Sequence, residues 1–205
     1  MVVAPDGSIL AEAGVDEECS GVGLDRSLLA GIRSAFQTTG KSPYRFSDQD
    51  KVCELDCLQE KVACYREAGR KMVFTNGCFD ILHEGHVTYL EAARRQGDYL
   101  VVGLNSDESI RAIKGPERPV NSQSSRARLL AALGCVDHVV LFGEATPHRL
   151  ITTLLPDVLV KGADWSVDKI VGAREVLAAG GVVKTIELVR DLSTTGLIKK
   201  IRALK

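Results

Sequence analysis

The sequence lacks several things, and each absence removes a class of function. There is no surplus of charge: 26 basic against 27 acidic residues leave a formal net charge of −1. This argues against a protein that grips nucleic acid by bulk electrostatics, though not against a small anion held by a few local cations. No apolar run reaches membrane-spanning length, and the opening lacks the basic-then-apolar layout of a signal peptide. The expected setting is therefore cytoplasmic, without a membrane partner. There is no Gly-x-x-x-x-Gly-Lys-Ser/Thr loop and no Gly-x-Gly-x-x-Gly after the first strand. "GVGLDR" (residues 21–26) only half-matches the second. The six cysteines (Cys19, Cys53, Cys57, Cys64, Cys78 and Cys135) lack both disulfide-scaffold spacing and a Cys-x-x-Cys knuckle. Steps of four and seven put Cys53, Cys57 and Cys64 on one face of a helix expected over about 50–69, whose apolar side includes Leu55, Leu58 and Val62. Buried free thiols are the expectation there, not a metal site.

What is present divides near residue 46. Residues 1–46 hold a hairpin signal, "VVAPDGSILAEAG", turning at Pro-Asp-Gly, then an amphipathic piece, "LDRSLLAGIRSAF", and a linker, "QTTGKSPYRFSD". This extension carries no assignable chemistry. From 47 to 205 apolar strands alternate with amphipathic helices. The strands are expected at 71–76, "YLVVGLN", "DHVVLF", "DVLVKG" and "VVKTIEL". The helices are expected from Glu84 to before Gly97, in "SRARLLAALG", from Thr146 to Leu154, in "AREVLAAGG" and in "STTGLIKKIRAL". Residues between "YLVVGLN" and "SRARLLAALG" read as a polar loop. The pattern predicts an α/β, Rossmann-like, doubly wound parallel sheet of about five strands with helices on both faces. Ligands bind such sheets at the carboxyl ends of the strands.

One strand-to-helix handover stands out: "FTNGCFDILHEGHVTYL", Phe74 to Leu90. His83 and His86 are three apart at a helix start, so they share a face and can converge on one ligand. The helix N-terminus adds unpaired N–H groups and partial positive charge, which suit phosphate. Gly85 between them leaves the backbone open to close approach. A pair of partly exposed capping histidines is the plainer alternative.

"NGCFDILHEGH" resembles the signature of the cytidylyltransferase-like nucleotidyltransferases, Gly-x-Phe-Asp followed by His-x-Gly-His. The further blocks "VGLNSDESI", "KGPERPVN", "TPHRLI", "PDVLVKGADW", "IVGAREV" and "LSTTGLIKKI" resemble the branch that adenylylates D-glycero-β-D-manno-heptose 1-phosphate. The resemblance covers about residues 49–205. It implies ATP and a heptose 1-phosphate as substrates, Mg2+ with the triphosphate, a homodimer, and dependence on a separate sugar kinase. It places His83, His86, Lys114 and Arg126 on the phosphates as catalytic groups. It gives nucleotide contacts to Asn76, Gly77, Cys78, Phe79, Gly85, Lys161, Gly162, Asp164, Ser193, Thr194 and Thr195. Asp80, Asn105 and Asp107 would face the sugar phosphate or a metal, and Arg118 the sugar phosphate, with helix capping as the other reading of Asp107. Related cytidylyltransferases often carry Thr where this chain has Cys78, and Arg five residues before the Ser of "STT", where it has Leu188. Both departures fit the heptose branch better than the glycerol-phosphate branch. The rival readings are a cytidylyltransferase for a small alcohol phosphate, a silent nucleotide-binding scaffold, and a fragment of a class I aminoacyl-tRNA synthetase.

Overall fold

The computed structural model describes residues 2–3, 9–11, 51–163, 166, 169–187 and 193–204. The chain forms two compact units, Met1–Phe46 and Ser47–Lys205. In the first, β1 (Val2–Val3) and β2 (Ile9–Ala11) pair antiparallel on either side of the Pro-Asp-Gly turn signal. The expected amphipathic piece and linker lie outside the described residues.

In the second unit the continuous apolar runs become one parallel sheet. Its strands are β3 (Met72–Gly77), β4 (Tyr99–Asn105), β5 (His138–Phe142), β6 (Val158–Gly162) and β7 (Val182–Ile186), in the order β5-β4-β3-β6-β7. The chain winds outward from β3 to β5, then returns to the far side of β3 for β6 and β7. The direction reverses between β3 and β6, which opens a crevice at their carboxyl ends.

Among the described residues seven helices accompany the sheet: α1 (Leu55–Glu67), α2 (Glu84–Arg94), α3 (Asp107–Lys114), α4 (Gln123–Ala132), α5 (His148–Leu154), α6 (Ala173–Ala178) and α7 (Thr194–Arg202). Because side chains alternate along a strand, each strand feeds both faces. Met72, Phe74, Val101, Val140 and Leu159 pack with Leu58, Val62, Ile151, Leu154 and Val176 of α1, α5 and α6. Val73, Leu100, Val102, Val139 and Val160 pack with Leu90, Ala93, Ala127 and Leu130 of α2 and α4. No helix among the described residues is long and apolar enough to cross a membrane.

Three expectations need correction. The first helix begins at Leu55, not near 50, because residues 51–53 do something else. Val52 forms a parallel bridge to Val139, and the Cys53 N–H donates to the Val139 carbonyl at 3.0 Å, covering the outer edge of β5. Cys57 and Cys64 are exposed and Cys53 is only partly buried. The buried stripe of α1 runs through Leu58 and Val62, which turns the first two thiols to the opposite side. Finally, the "polar loop" contains α3. Ser106 caps it by accepting from the Ser109 N–H at 3.1 Å, and Asp107 and Glu108 in the first turn complement the helix dipole.

At the opposite, amino end of the strands lies a buried polar cluster. His138, 6 % exposed, lies 3.2 Å by Nε2 from the Tyr65 hydroxyl and 3.9 Å by Nδ1 from Cys53 Sγ. Burial, reinforced by Lys61, pushes the His138 pKa down to about 4.

Candidate active site

β3 delivers Asn76 and Gly77 to the crevice, and a three-residue turn, Cys78–Asp80, leads toward α2. The helix is fixed to the strand. Leu90 and Ala93 are buried, and the Tyr89 hydroxyl lies 2.7 Å from Thr75 Oγ1. His83 occupies the N-cap position, but its side chain makes no capping bond, so the plain capping reading fails. Its ring stacks on His86 at 3.8 Å between centroids, 29° apart. The Phe79 ring tilts against His86 from the other direction at 5.4 Å. Three buried polar atoms here have no hydrogen-bond partner among the described residues: Asn76 Oδ1, His83 Nδ1 and His86 Nδ1. Unsatisfied buried groups are rare, and three together at a crevice mark it as a candidate binding site. Burial, then His83 and Lys114, push the His86 pKa down to about 4. The imidazole is therefore neutral near pH 7 while no anion is beside it.

Other elements bring more of the expected residues to this place. Lys114, exposed at the end of α3, is close enough to act electrostatically on His86. Across the switch point, Lys161 Nζ donates to the Asn76 carbonyl at 3.4 Å, with Gly162 ending the same strand. At α7, Thr194 Oγ1 donates to the Ile81 carbonyl at 3.5 Å, two residues before His83. Ser193 caps that helix by accepting from the Gly196 N–H at 3.0 Å, and no acidic residue sits in the first turn. Ser193 and Thr195 are exposed there, beside N–H groups that favour an anion. Gly85 is buried in the first turn of α2. Asp164, Leu188 and Arg190 lie outside the described residues.

A second group of expected ligands is occupied by the protein itself. Arg126, expected on the phosphates, is 0 % exposed. Its guanidinium donates to the Asn121 carbonyl at 3.0 Å, the Cys78 carbonyl at 2.6 Å and Asp107 Oδ1 at 2.7 Å. The Asp107 carboxylate is paired with Arg126, and the N-cap of α3 is Ser106. Asp80 accepts from Arg118 Nε at 2.6 Å and from the Val120 and Asn121 N–H groups at 2.8 and 3.0 Å. Burial alone would raise the Asp80 pKa, but the Asn121, Arg118 and Val120 bonds outweigh it and hold it below the usual range. The Asn105 amide donates to Ser109 Oγ at 3.0 Å, and its oxygen lies 3.9 Å from Cys78 Sγ. These residues fasten loop 115–123 to the turn after β3. Asn121 was missed as part of that fastening, although its side chain donates to the Asp80 carbonyl at 2.6 Å. Residue type gave no signal for it. Two surface clefts of about 570 and about 830 Å3 lie elsewhere, around Glu144 and Gly172, and contain none of the expected site residues.

A family model described as cytidylyltransferase-like matches residues 74–200, which contain the paired histidines, loop 115–123 and the opening of α7. The chain belongs to the cytidylyltransferase-like family. Among curated relatives, "Bifunctional protein HldE" of Mesorhizobium japonicum is 56 % identical over 168 residues, 82 % of this chain and 33 % of that one. The protein of the same name from Methylobacillus flagellatus is 55 % identical over 152 residues, 74 % of this chain and 31 % of its own. That from Magnetococcus marinus is 50 % identical over 160 residues, 78 % and 33 % respectively. The chain thus spans about a third of the length of the relatives it matches. A solved structure titled as a lipopolysaccharide core biosynthesis protein from Thermoplasma volcanium GSS1 superposes with a TM-score of 0.48 at 29 % identity, over 58 % of this chain and 97 % of that one. That superposition is too loose to bear on function.

The described residues of the site supply no ligand set of their own for a divalent cation. Among the described residues no three His, Cys, Asp or Glu side chains gather to hold one, and Asp80 and Asp107 are spent on Arg118 and Arg126.

Proposed function

We propose that the domain transfers the adenylyl group of ATP to D-glycero-β-D-manno-heptose 1-phosphate, releasing ADP-heptose and pyrophosphate for lipopolysaccharide core biosynthesis. The observation that carries this reading is the stacked His83–His86 pair with its unpartnered nitrogens, set at the N-terminus of α2 beside the switch point. Membership of the cytidylyltransferase-like family and identities of 50–56 % to proteins named HldE support it. The choice of adenylyl and heptose rests on the motif blocks quoted above.

The chemistry asks little of a general base. The attacking atom is a phosphate oxygen that is already ionised. It forms a bond to the α-phosphorus of ATP, and the bond to the β-phosphate bridging oxygen breaks, expelling pyrophosphate. Alignment and charge stabilisation then carry the rate. In this reading His86 donates to the α-phosphate as charge builds, while His83 and Lys114 engage the rest of the triphosphate. The opening of α7 receives the β- and γ-phosphates through Ser193, Thr194, Thr195 and its free N–H groups. Lys161, Gly162 and Asp164 border the nucleoside. Mg2+ bound with ATP supplies charge neutralisation to the phosphates.

The same proposal sets the enzyme in the cytoplasm as a homodimer, using heptose 1-phosphate made by a separate sugar kinase. The relatives' name, bifunctional, and the two thirds of their length outside the match accord with a second activity there. Pyrophosphate release from ATP and heptose 1-phosphate tests the reaction. Turnover with CTP and glycerol 3-phosphate, and none with the first pair, would move the chain to the neighbouring branch. Light scattering at working concentration tests the dimer.

A further inference from the structure

Phe79 is the one residue of the turn after β3 whose backbone is costly. It has φ +44°, in the left-handed region. For a bulky residue this is an outlier, and it persists only where the surroundings over-determine it. The bonds that over-determine it are on both sides. The carbonyl of Cys78, just before it, accepts from Arg126 at 2.6 Å. Asp80, just after it, is held through its carboxylate by Arg118, Val120 and Asn121 and through its carbonyl by the Asn121 side chain. Gly77 completes the fit, because a Cβ there would lie 3.0 Å from the Phe79 ring. The ring so placed is 6 % exposed and lies against His86, which in turn stacks on His83.

We propose that Arg126 and Phe79 are positioning residues: the buried guanidinium holds the turn, the turn holds Phe79 in its left-handed conformation, and the ring holds His86 against His83 and away from water. This rests on the reading of the histidine pair as the phosphate site, but its first test does not depend on that reading. Among the described residues, the titratable or charged groups that bear on His86 are His83 on its own helix and Lys114 at the end of α3. The opening of α7, near Ile81, brings hydroxyls and no charged side chain in its first turn. Arg126 is engaged by Asp107, Cys78 and Asn121 and reaches His86 only through the turn.

The test follows the His86 ring resonances by NMR titration of the full chain, assigned by their loss in His86→Gln. The wild type should titrate near 4, where burial puts it. Phe79→Leu keeps an apolar side chain but opens the ring to water, and should move the midpoint upward toward 6.5, the ordinary value. Asp107→Asn loosens Arg126 without touching either histidine, and should move it in the same direction by less. With ATP and the heptose phosphate, Phe79→Leu should lose about a hundredfold in kcat, as a small misplacement of a catalytic group does, while the Kd for ATP moves far less. A folded Phe79→Leu whose His86 titrates as in the wild type overturns the proposal. So does an Asp107→Asn that leaves the His86 midpoint unmoved, and this variant decides the matter should Phe79→Leu fail to fold. Shifted titration without any turnover in the wild type leaves the positioning intact and sinks the assigned reaction.

Discussion

Lowering the pH from 7 to 5 should cost the domain about 2 kcal/mol of stability through His138 alone. The side chain is buried among Tyr65, Cys53 and the strand ends, and its folded pKa is about 4 against an ordinary 6.5. The sign follows from that order. Between those two values the unfolded chain takes up a proton that the folded chain refuses, so stability falls as the pH falls through the window. At pH 7 the folded imidazole is neutral and the unfolded one is protonated only to about a quarter. At pH 5 the unfolded imidazole is almost fully charged while the folded one is still mostly neutral. The full penalty, about 3 kcal/mol for a shift of about 2.5 units, is reached only near the lower value. Urea denaturation of wild type and His138→Gln at pH 7, 6 and 5 reads this directly. Glutamine can still bond Tyr65 but does not titrate, and His86 is common to both proteins, so its contribution cancels. The wild type should lose about 2 kcal/mol more than the variant between pH 7 and 5. Equal losses in the two proteins would refute the burial argument.

Other consequences can be checked as simply. Asp80→Ala should destabilise toward the lower end of about 3–5 kcal/mol, because Arg118 loses its partner but keeps some access to water; chemical denaturation measures it. Gly172→Ala should cost at least about 1–3 kcal/mol. Its φ is +81°, and the new Cβ would fall 2.5 Å from Ile151 Cγ2, so a thermal melt settles it. Lys114→Ala, on an exposed side chain, should leave the melting temperature unchanged and weaken ATP binding tenfold or more, for about 1.5–3 kcal/mol lost with a charge-assisted contact. Calorimetric titration with ATP and Mg2+ gives both numbers.

The sheet was legible because both of its faces are buried. A strand such as "YLVVGLN" carries no polar interruption, and its observed bounds, Tyr99–Asn105, coincide with the run. α3 was not legible, because "DESIRAIK" buries only Ser109 and Ile110 and leaves a mostly charged surface. Its start was nevertheless marked by Ser106, an N-cap residue followed by two acids. The histidine pair could be read from spacing, since three residues on a helix fix a shared face. Arg126 and Asp80 could not. An arginine or aspartate beside a crevice looks the same in sequence whether its partner is a ligand or a neighbouring loop, and only the fold shows Asp80 bonded to Arg118, Val120 and Asn121, and Arg126 to the Asn121 and Cys78 carbonyls and to Asp107.

Anyone trimming this chain for crystallisation or fusion meets a boundary set by three residues. Cutting at the tidy start of α1 would discard Lys51, Val52 and Cys53, which hem the margin of β5, Lys51 also reaching the Leu133 carbonyl at 3.2 Å. The peptide groups laid bare would offer neighbouring molecules a place to add their own strands, and the shortened product should clump. A start at residue 50 keeps the hem and avoids the difficulty.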